Sequence, residues 1–179
     1  PPLGFLADDE KTPIGNETDI AQLVADALGL KLELEQKAWA DWPLALQSGD
    51  VDAVISNVTV TEERKELYDF SSYRNDQLGW ITSASSKVKE IKEPKDIAGL
   101  TVGVSSGTNQ EKILLAWNEQ NIKDGLDPPI KGGEPEYYEA YSDVLLAVQS
   151  GRLDTYVGPN ASLAYSAATA PDQFKVVAL

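Results

Sequence analysis

Three stretches of this chain carry side chains suited to binding or chemistry. The first is Ser56-Asn57-Val58-Thr59-Val60-Thr61-Glu62-Glu63-Arg64. Hydroxyls and backbone N–H groups stand just ahead of a helix start, and an arginine follows within the first turn. A guanidinium presents a planar fork that matches a carboxylate, and helix N–H groups add partial positive charge beside it. The same residues fit a plainer account, in which Thr61 caps the helix and Arg64 pairs with a neighbouring acid. The helix dipole disfavours an arginine in the first turn, which tilts the balance towards function. The second stretch, Ser105-Ser106-Gly107-Thr108-Asn109-Gln110, is a small polar turn at a helix N-terminus. It would suit an anion, yet it lacks the lysine and spacing of a nucleotide loop, and taken alone an ordinary N-cap is the better account of it. The third is Trp39, between a strand and a short helix. Partial burial in a core accounts for a single tryptophan unless the preceding strand ends at a cleft.

Other chemistries are excluded by composition. The chain has no Cys and no His among 179 residues. Disulfides, thiolate catalysis, a Ser-His-Asp triad and Cys- or His-ligated zinc are therefore out of reach. Fifteen basic residues against 29 acidic ones leave a formal charge of −14, which argues against nucleic acid and anionic membranes as partners. No run approaches the roughly 18 apolar residues of a membrane span. The absence of Met implies a chain that is processed, trimmed or incompletely given.

Strands alternating with helices must position these stretches. Residues 1–15 suggest an extended hairpin turning at Asp8-Asp9-Glu10-Lys11. From Thr18, Ile20, Leu23, Val24, Ala27 and Leu28 follow helical spacing up to Gly29. Residues 31–36 alternate as a half-buried strand, 41–48 form a short helix with Pro43 in its first turn, and 51–57 read as a buried parallel strand. Further on come strand 78–82, a polar break at 83–89, a short helix ending at Gly99 and strand 101–104. A long helix opens after Thr108, and 125–134 is a Pro- and Gly-rich loop. Strand 136–141, helix 142–150, strand 154–157, helix 161–168 and strand 174–179 complete the order. This is an α/β class with mostly parallel sheets, whose ligands sit beyond the carboxyl ends of the strands.

One phrase occurs twice. Ala45-Leu46-Gln47-Ser48-Gly49-Asp50-Val51-Asp52 returns as Ala147-Val148-Gln149-Ser150-Gly151-Arg152-Leu153-Asp154. Each copy predicts a helix end, a glycine in the left-handed region and a strand opened near an acid. The duplication predicts two similarly built lobes facing a cleft, with lobe 1 at residues 1–82, a hinge at 83–89 and lobe 2 at 90–179.

The order of segments resembles the bacterial extracellular solute-binding proteins that feed polar amino acids to ABC transporters. The matching stretches are Ile14-Gly15 with Glu17 and Asp19, residues 45–49 and 51–57, Thr59-Val60-Thr61-Glu62-Glu63-Arg64, Asp69-Phe70-Ser71, residues 101–104 with Ser106-Gly107-Thr108, and 149–154. The resemblance implies a type II periplasmic-binding fold, two lobes closing on a solute that is bound and not altered. It implies that Arg64 holds the solute's α-carboxylate and that Asn57 and Thr59 add hydroxyl or backbone contacts. Thr108 and Asn109 would complete the carboxylate site, with the ring of Trp39 over the ligand. It also implies no cofactor, a membrane permease as partner, and a periplasmic or extracellular location reached with a signal peptide, with or without a lipid anchor.

Two departures from that pattern stand out. The usual Asp that binds the ligand ammonium aligns with Pro159 in Gly158-Pro159-Asn160, so Asn160 or Glu17 becomes the candidate replacement. The family's opening strand and its long return after residues 174–179 have no counterpart in the sequence. Two rival readings share the fold: a cyclohexadienyl or arogenate dehydratase-like enzyme with Glu17 as its acid, and the ligand-binding domain of a sensor or receptor.

Overall fold

The computed structural model describes residues 2–178, and the chain divides between Tyr73 and Arg74 into two compact units. The first unit opens with a two-stranded antiparallel hairpin, β1 (Phe5–Leu6) and β2 (Pro13–Ile14). Asp9 closes its turn as expected, its carboxylate accepting the backbone N–H groups of Lys11 and Thr12. Helix α1 (Asn16–Leu28) ends at Gly29, with φ 67°. Helix α2 (Trp42–Ser48) carries Pro43 in its first turn, and the single turn α3 (Glu62–Lys65) is capped by Thr61, whose hydroxyl accepts the Arg64 N–H.

Two expected elements of this unit do not form. Residues 31–36 and 51–57 adopt no strand, and 51–57 are half-buried or exposed. A strand is completed by a neighbour's backbone groups, and among the described residues neither segment has a ladder partner. The burial of α1 differs for the same reason. Its buried positions are Glu17, Ala21 and Ala25, while Leu23, Val24 and Leu28 of the apolar stripe stay exposed; among the described residues the unit's only sheet is the short β1–β2 hairpin.

The second unit is built on a five-stranded sheet in the order β5-β4-β6-β3-β7. Its strands are β3 (Leu78–Ser83), β4 (Val102–Val104), β5 (Glu136–Tyr137), β6 (Thr155–Pro159) and β7 (Phe174–Ala178). The β4–β5 and β4–β6 pairs are parallel, and β3 runs antiparallel to both β6 and β7. β3 thus lies inside the second unit's sheet, and the division falls earlier than residue 82. Its register explains the placement, since every residue from Gly79 to Ser83 pairs with β7 and Leu78 to Ile81 pair with β6.

Side chains alternate across this sheet with the period of two that a strand imposes. Trp80, Val102, Val104, Val157 and Val177 join Leu114 of α4 (Asn109–Lys123) on one side. Ile81, Tyr156 and Phe174 join Val144 and Val148 of α5 (Tyr141–Gln149) and Leu163 of α6 (Asn160–Thr169) on the other. The predicted short helix before Gly99 is a 3₁₀ turn, Pro94–Ile97, and the predicted strand 136–141 contracts to the two residues of β5.

Candidate functional site

In the first unit the site is assembled around Trp42. Asp41 and Pro43 set the start of α2, which buries the indole of Trp42 to 7% exposure. The Arg64 guanidinium lies over that indole, 5.7 Å from the ring centroid, an arrangement in which the cation meets the negative face of the ring. One of its N–H groups (Nη1) donates to the Thr59 carbonyl at 2.9 Å. Tyr68, just beyond α3 and tied back by its N–H to the Arg64 carbonyl at 2.9 Å, packs against Trp42 with centroids 5.4 Å apart. Trp39 meets Trp42 edge-on at 6.2 Å. Partial burial draws the Arg64 pKa below its ordinary value, opposed by the nearby Glu63 and by Tyr68. The guanidinium remains charged, since even a depressed arginine titrates far above neutral pH.

Two predicted residues, Trp39 and Arg64, therefore meet one indole, and a third, Thr59, holds the guanidinium through its carbonyl. Asn57 precedes them with φ 49°, a left-handed conformation that asparagine tolerates better than most residues. Glu17 is buried at 6% exposure in the first turn of α1, where its Oε1 accepts the Tyr73 hydroxyl at 3.1 Å. Its other oxygen lies against Gly4, 3.5 Å from where a Cβ would stand.

In the second unit the parallel strands β4 and β6 end on the same edge of the sheet. β4 runs into Ser105-Ser106-Gly107-Thr108 and so into α4, while β6 runs into Pro159 and α6. Thr108 is the N-cap of α4: its hydroxyl donates to the Ser105 carbonyl at 2.7 Å and accepts the Glu111 N–H at 3.1 Å. Asn109 is the first residue of the helix, where N–H groups have no acceptor within the helix itself. Asn160 opens α6, its N–H donating to the Gln77 carbonyl at 2.8 Å and its side chain lying over Gly79 of β3.

The L-cystine-binding protein TcyJ of Escherichia coli K12 is 33% identical over 185 residues, covering 100% of this chain and 66% of that protein. The arginine-binding extracellular protein ArtP of Bacillus subtilis is 30% identical over 144 residues, covering 80% of this chain and 52% of that protein. The solved structure of an ancestral arginine-binding protein bound to arginine matches with a TM-score of 0.85 at 29% identity, covering 99% of this chain and 74% of that one. The profile of the bacterial extracellular solute-binding proteins, family 3, matches residues 1–157. The chain belongs to that family.

Family 3 membership fixes the fold class as the two-lobed α/β fold of periplasmic binding proteins. The chain spans 66% and 52% of the two curated relatives' lengths. Within this family-3 chain, sequence reasoning passed over Trp42 and Tyr68. Trp42 carried a signal, the Trp39-Ala40-Asp41-Trp42 pair of rings ahead of a proline, and Tyr68 carried another in its i,i+4 spacing from Arg64. Neither spacing announces that the guanidinium lies on Trp42 and that Tyr68 packs against the same indole, because the Trp42–Arg64 contact spans 22 residues of chain.

Proposed function

We propose that this chain is the solute-binding part of an extracytoplasmic receptor for an ABC importer, and that it takes a small, carboxylate-bearing, amino-acid-like solute without altering it. The observation that supports this most is the setting of Arg64. A half-buried guanidinium, laid on Trp42 and tied by one N–H to the Thr59 carbonyl, is held in a fixed direction, and its planar fork is of the kind that matches a carboxylate. Within the second unit, the turn before α4 presents N–H donors of the kind that suit an anion. Relatives named for cystine and arginine support an amino-acid-like solute. Binding without turnover is supported by the absence of any His or Cys and by the engagement of Glu17 with Tyr73. We place the protein in the periplasm or at the cell exterior, docking on a membrane permease, with a lipid anchor as one means of retention.

The test is a thermal-shift screen with L-cystine, L-arginine, L-glutamine and small organic acids, repeated with Arg64→Ala and Arg64→Lys. A solute at a hundredfold excess over its Kd stabilises the native state by about 2.7 kcal/mol. Arg64→Ala is expected to cost about 2–5 kcal/mol of binding, roughly 30- to 4,000-fold in affinity. Arg64→Lys is expected to fail as well, since a point charge does not reproduce the fork. Undiminished affinity in Arg64→Ala would overturn the assignment.

A further inference from the structure

Tyr156 lies at the middle of β6, in register with Gly103 of β4 on one side and Ile81 of β3 on the other. A tyrosine this size, 5% exposed, needs room, and two glycines provide it. A methyl carbon placed on Gly158 would sit 2.7 Å from the ring's Cε1, and one on Gly103 would sit 3.3 Å from its Cδ2. The ring therefore runs over bare backbone towards the carboxyl end of the sheet. Its far side is braced by Tyr141, 6.2 Å away, whose hydroxyl is itself hydrogen-bonded to Ser166 at 2.9 Å. The hydroxyl of Tyr156 ends 2.9 Å from Ser105 Oγ, on the first residue after β4. Burial raises the pKa of this phenol, so it stays protonated at neutral pH.

We infer that Tyr156 is a positioning residue for the solute's anionic group, acting through Ser105 on the turn that precedes α4. The inference rests on the proposed binding function. Tyr156 fixes Ser105, the Thr108 hydroxyl donates a hydrogen bond to the Ser105 carbonyl, and that hydroxyl accepts the Glu111 N–H. With its proton committed, Thr108 Oγ1 can only accept. A carboxylate at this edge is therefore met by backbone N–H groups of the turn and not by the threonine hydroxyl. One of those groups, the Gly107 N–H, already donates to the Glu111 carboxylate at 2.6 Å. The donors assigned to the solute are accordingly the N–H groups of Thr108 and Asn109, whose direction depends on the link to Tyr156.

The experiment uses Tyr156→Phe, Ser105→Ala and the double variant, with Arg64→Ala as reference and whichever panel amino acid the wild type binds most tightly as probe. Each single variant is expected to weaken binding about fivefold, the scale of one buried hydrogen bond. The double variant is expected to be no weaker than either single one by more than twofold, because both remove the same link. In the solute-free protein, the amide resonances of Gly107, Thr108 and Asn109 should move in Tyr156→Phe. A structural role alone would lower Tm and leave both the affinity and these amides unchanged. Unmoved amides, or affinity losses that simply add, would overturn the inference. If Arg64→Ala abolishes binding while both single variants bind as wild type, this inference fails and the functional reading stands. If the wild type binds nothing in the panel, the functional reading fails and takes the inference with it.

Discussion

The repeated phrase folds the same way twice and then leads to different structures. In the first copy the Gly49 N–H donates to Leu46 and the Val51 N–H to Ala45, while the Ser48 hydroxyl donates to the Ala45 carbonyl. In the second the Gly151 N–H donates to Val148, the Leu153 N–H to Ala147, and the Ser150 hydroxyl to the Ala147 carbonyl. The two glycines take φ 77° and 75°, a conformation open to residues without a Cβ. Beyond this point the copies part. Asp154 meets Thr101, its carboxylate and backbone N–H engaging that residue's N–H and carbonyl, and the chain enters β6. Residues 53–57, which follow Asp52, form no strand. A helix stop is a local device written in a few residues, whereas a strand exists only where a neighbour completes its ladder.

The largest expected effect comes from the matched apolar position in each copy. Leu153 is 1% exposed and packs with Val144, Val148 and Phe174, whereas Val51 is half-buried. Leu153→Ala should cost about 2–5 kcal/mol of unfolding free energy in urea titrations. Val51→Ala should cost less than about 1 kcal/mol, since it removes less buried area and leaves no closed cavity. Equal losses would erase the distinction drawn between the copies.

This contrast also marks how far the sequence could be read. Capping and turn residues placed α1, α2, α3 and α4 within a residue or two, because Gly29, Gly49, Thr61 and Thr108 act on their own neighbourhoods. Strands 78–83, 102–104 and 155–159 were legible because their β-rich runs found partners. Residues 31–36, read from alternation, and 51–57, read from a near-continuous apolar run, have no described ladder, so neither pattern alone makes a strand there. Arg64 and Thr59 were legible as a motif through family resemblance. The indole that holds Arg64 was not, since side-chain convergence across loops leaves no period in the chain.

A second contrast concerns charge. The first unit has a buried carboxylate, Glu17, joined to Tyr73, while the second unit's strand end has Pro159. Glu17→Gln is expected to lower stability by about 1–3 kcal/mol through loss of a hydrogen bond to a charged group, with solute affinity within twofold. Pro159→Asp should do the opposite. Pro159 has φ −62° and ψ 122° at the N-cap of α6, a place where aspartate is a favoured cap, so the fold should tolerate it. The new carboxylate should raise affinity for solutes with a free α-ammonium by roughly tenfold, near the lower end of a charge-assisted hydrogen bond. Isothermal titration of both variants checks this. A large affinity loss in Glu17→Gln would instead make Glu17 the ammonium partner.

The smallest expected effect tests the exposed stripe of α1. Leu23 and Leu28 are 67% and 66% exposed, although their spacing is that of a buried helix face. The face that α1 does bury is lined by Ala21 and Ala25, small residues that allow close approach. Leucine and glutamine have nearly equal helix propensity, so Leu23→Gln isolates the burial of that one side chain. If the stripe faces water, the change should move unfolding free energy by no more than about 0.5 kcal/mol, the range of surface substitutions. If the stripe is covered in the folded protein, truncating apolar contact and burying an amide without partners would together cost well over about 1.5 kcal/mol. Urea unfolding of Leu23→Gln, with Leu28→Gln as a second exposed position of the same stripe, separates these outcomes. A loss of the larger size would mean that the first unit's helix packs as its sequence periodicity predicts.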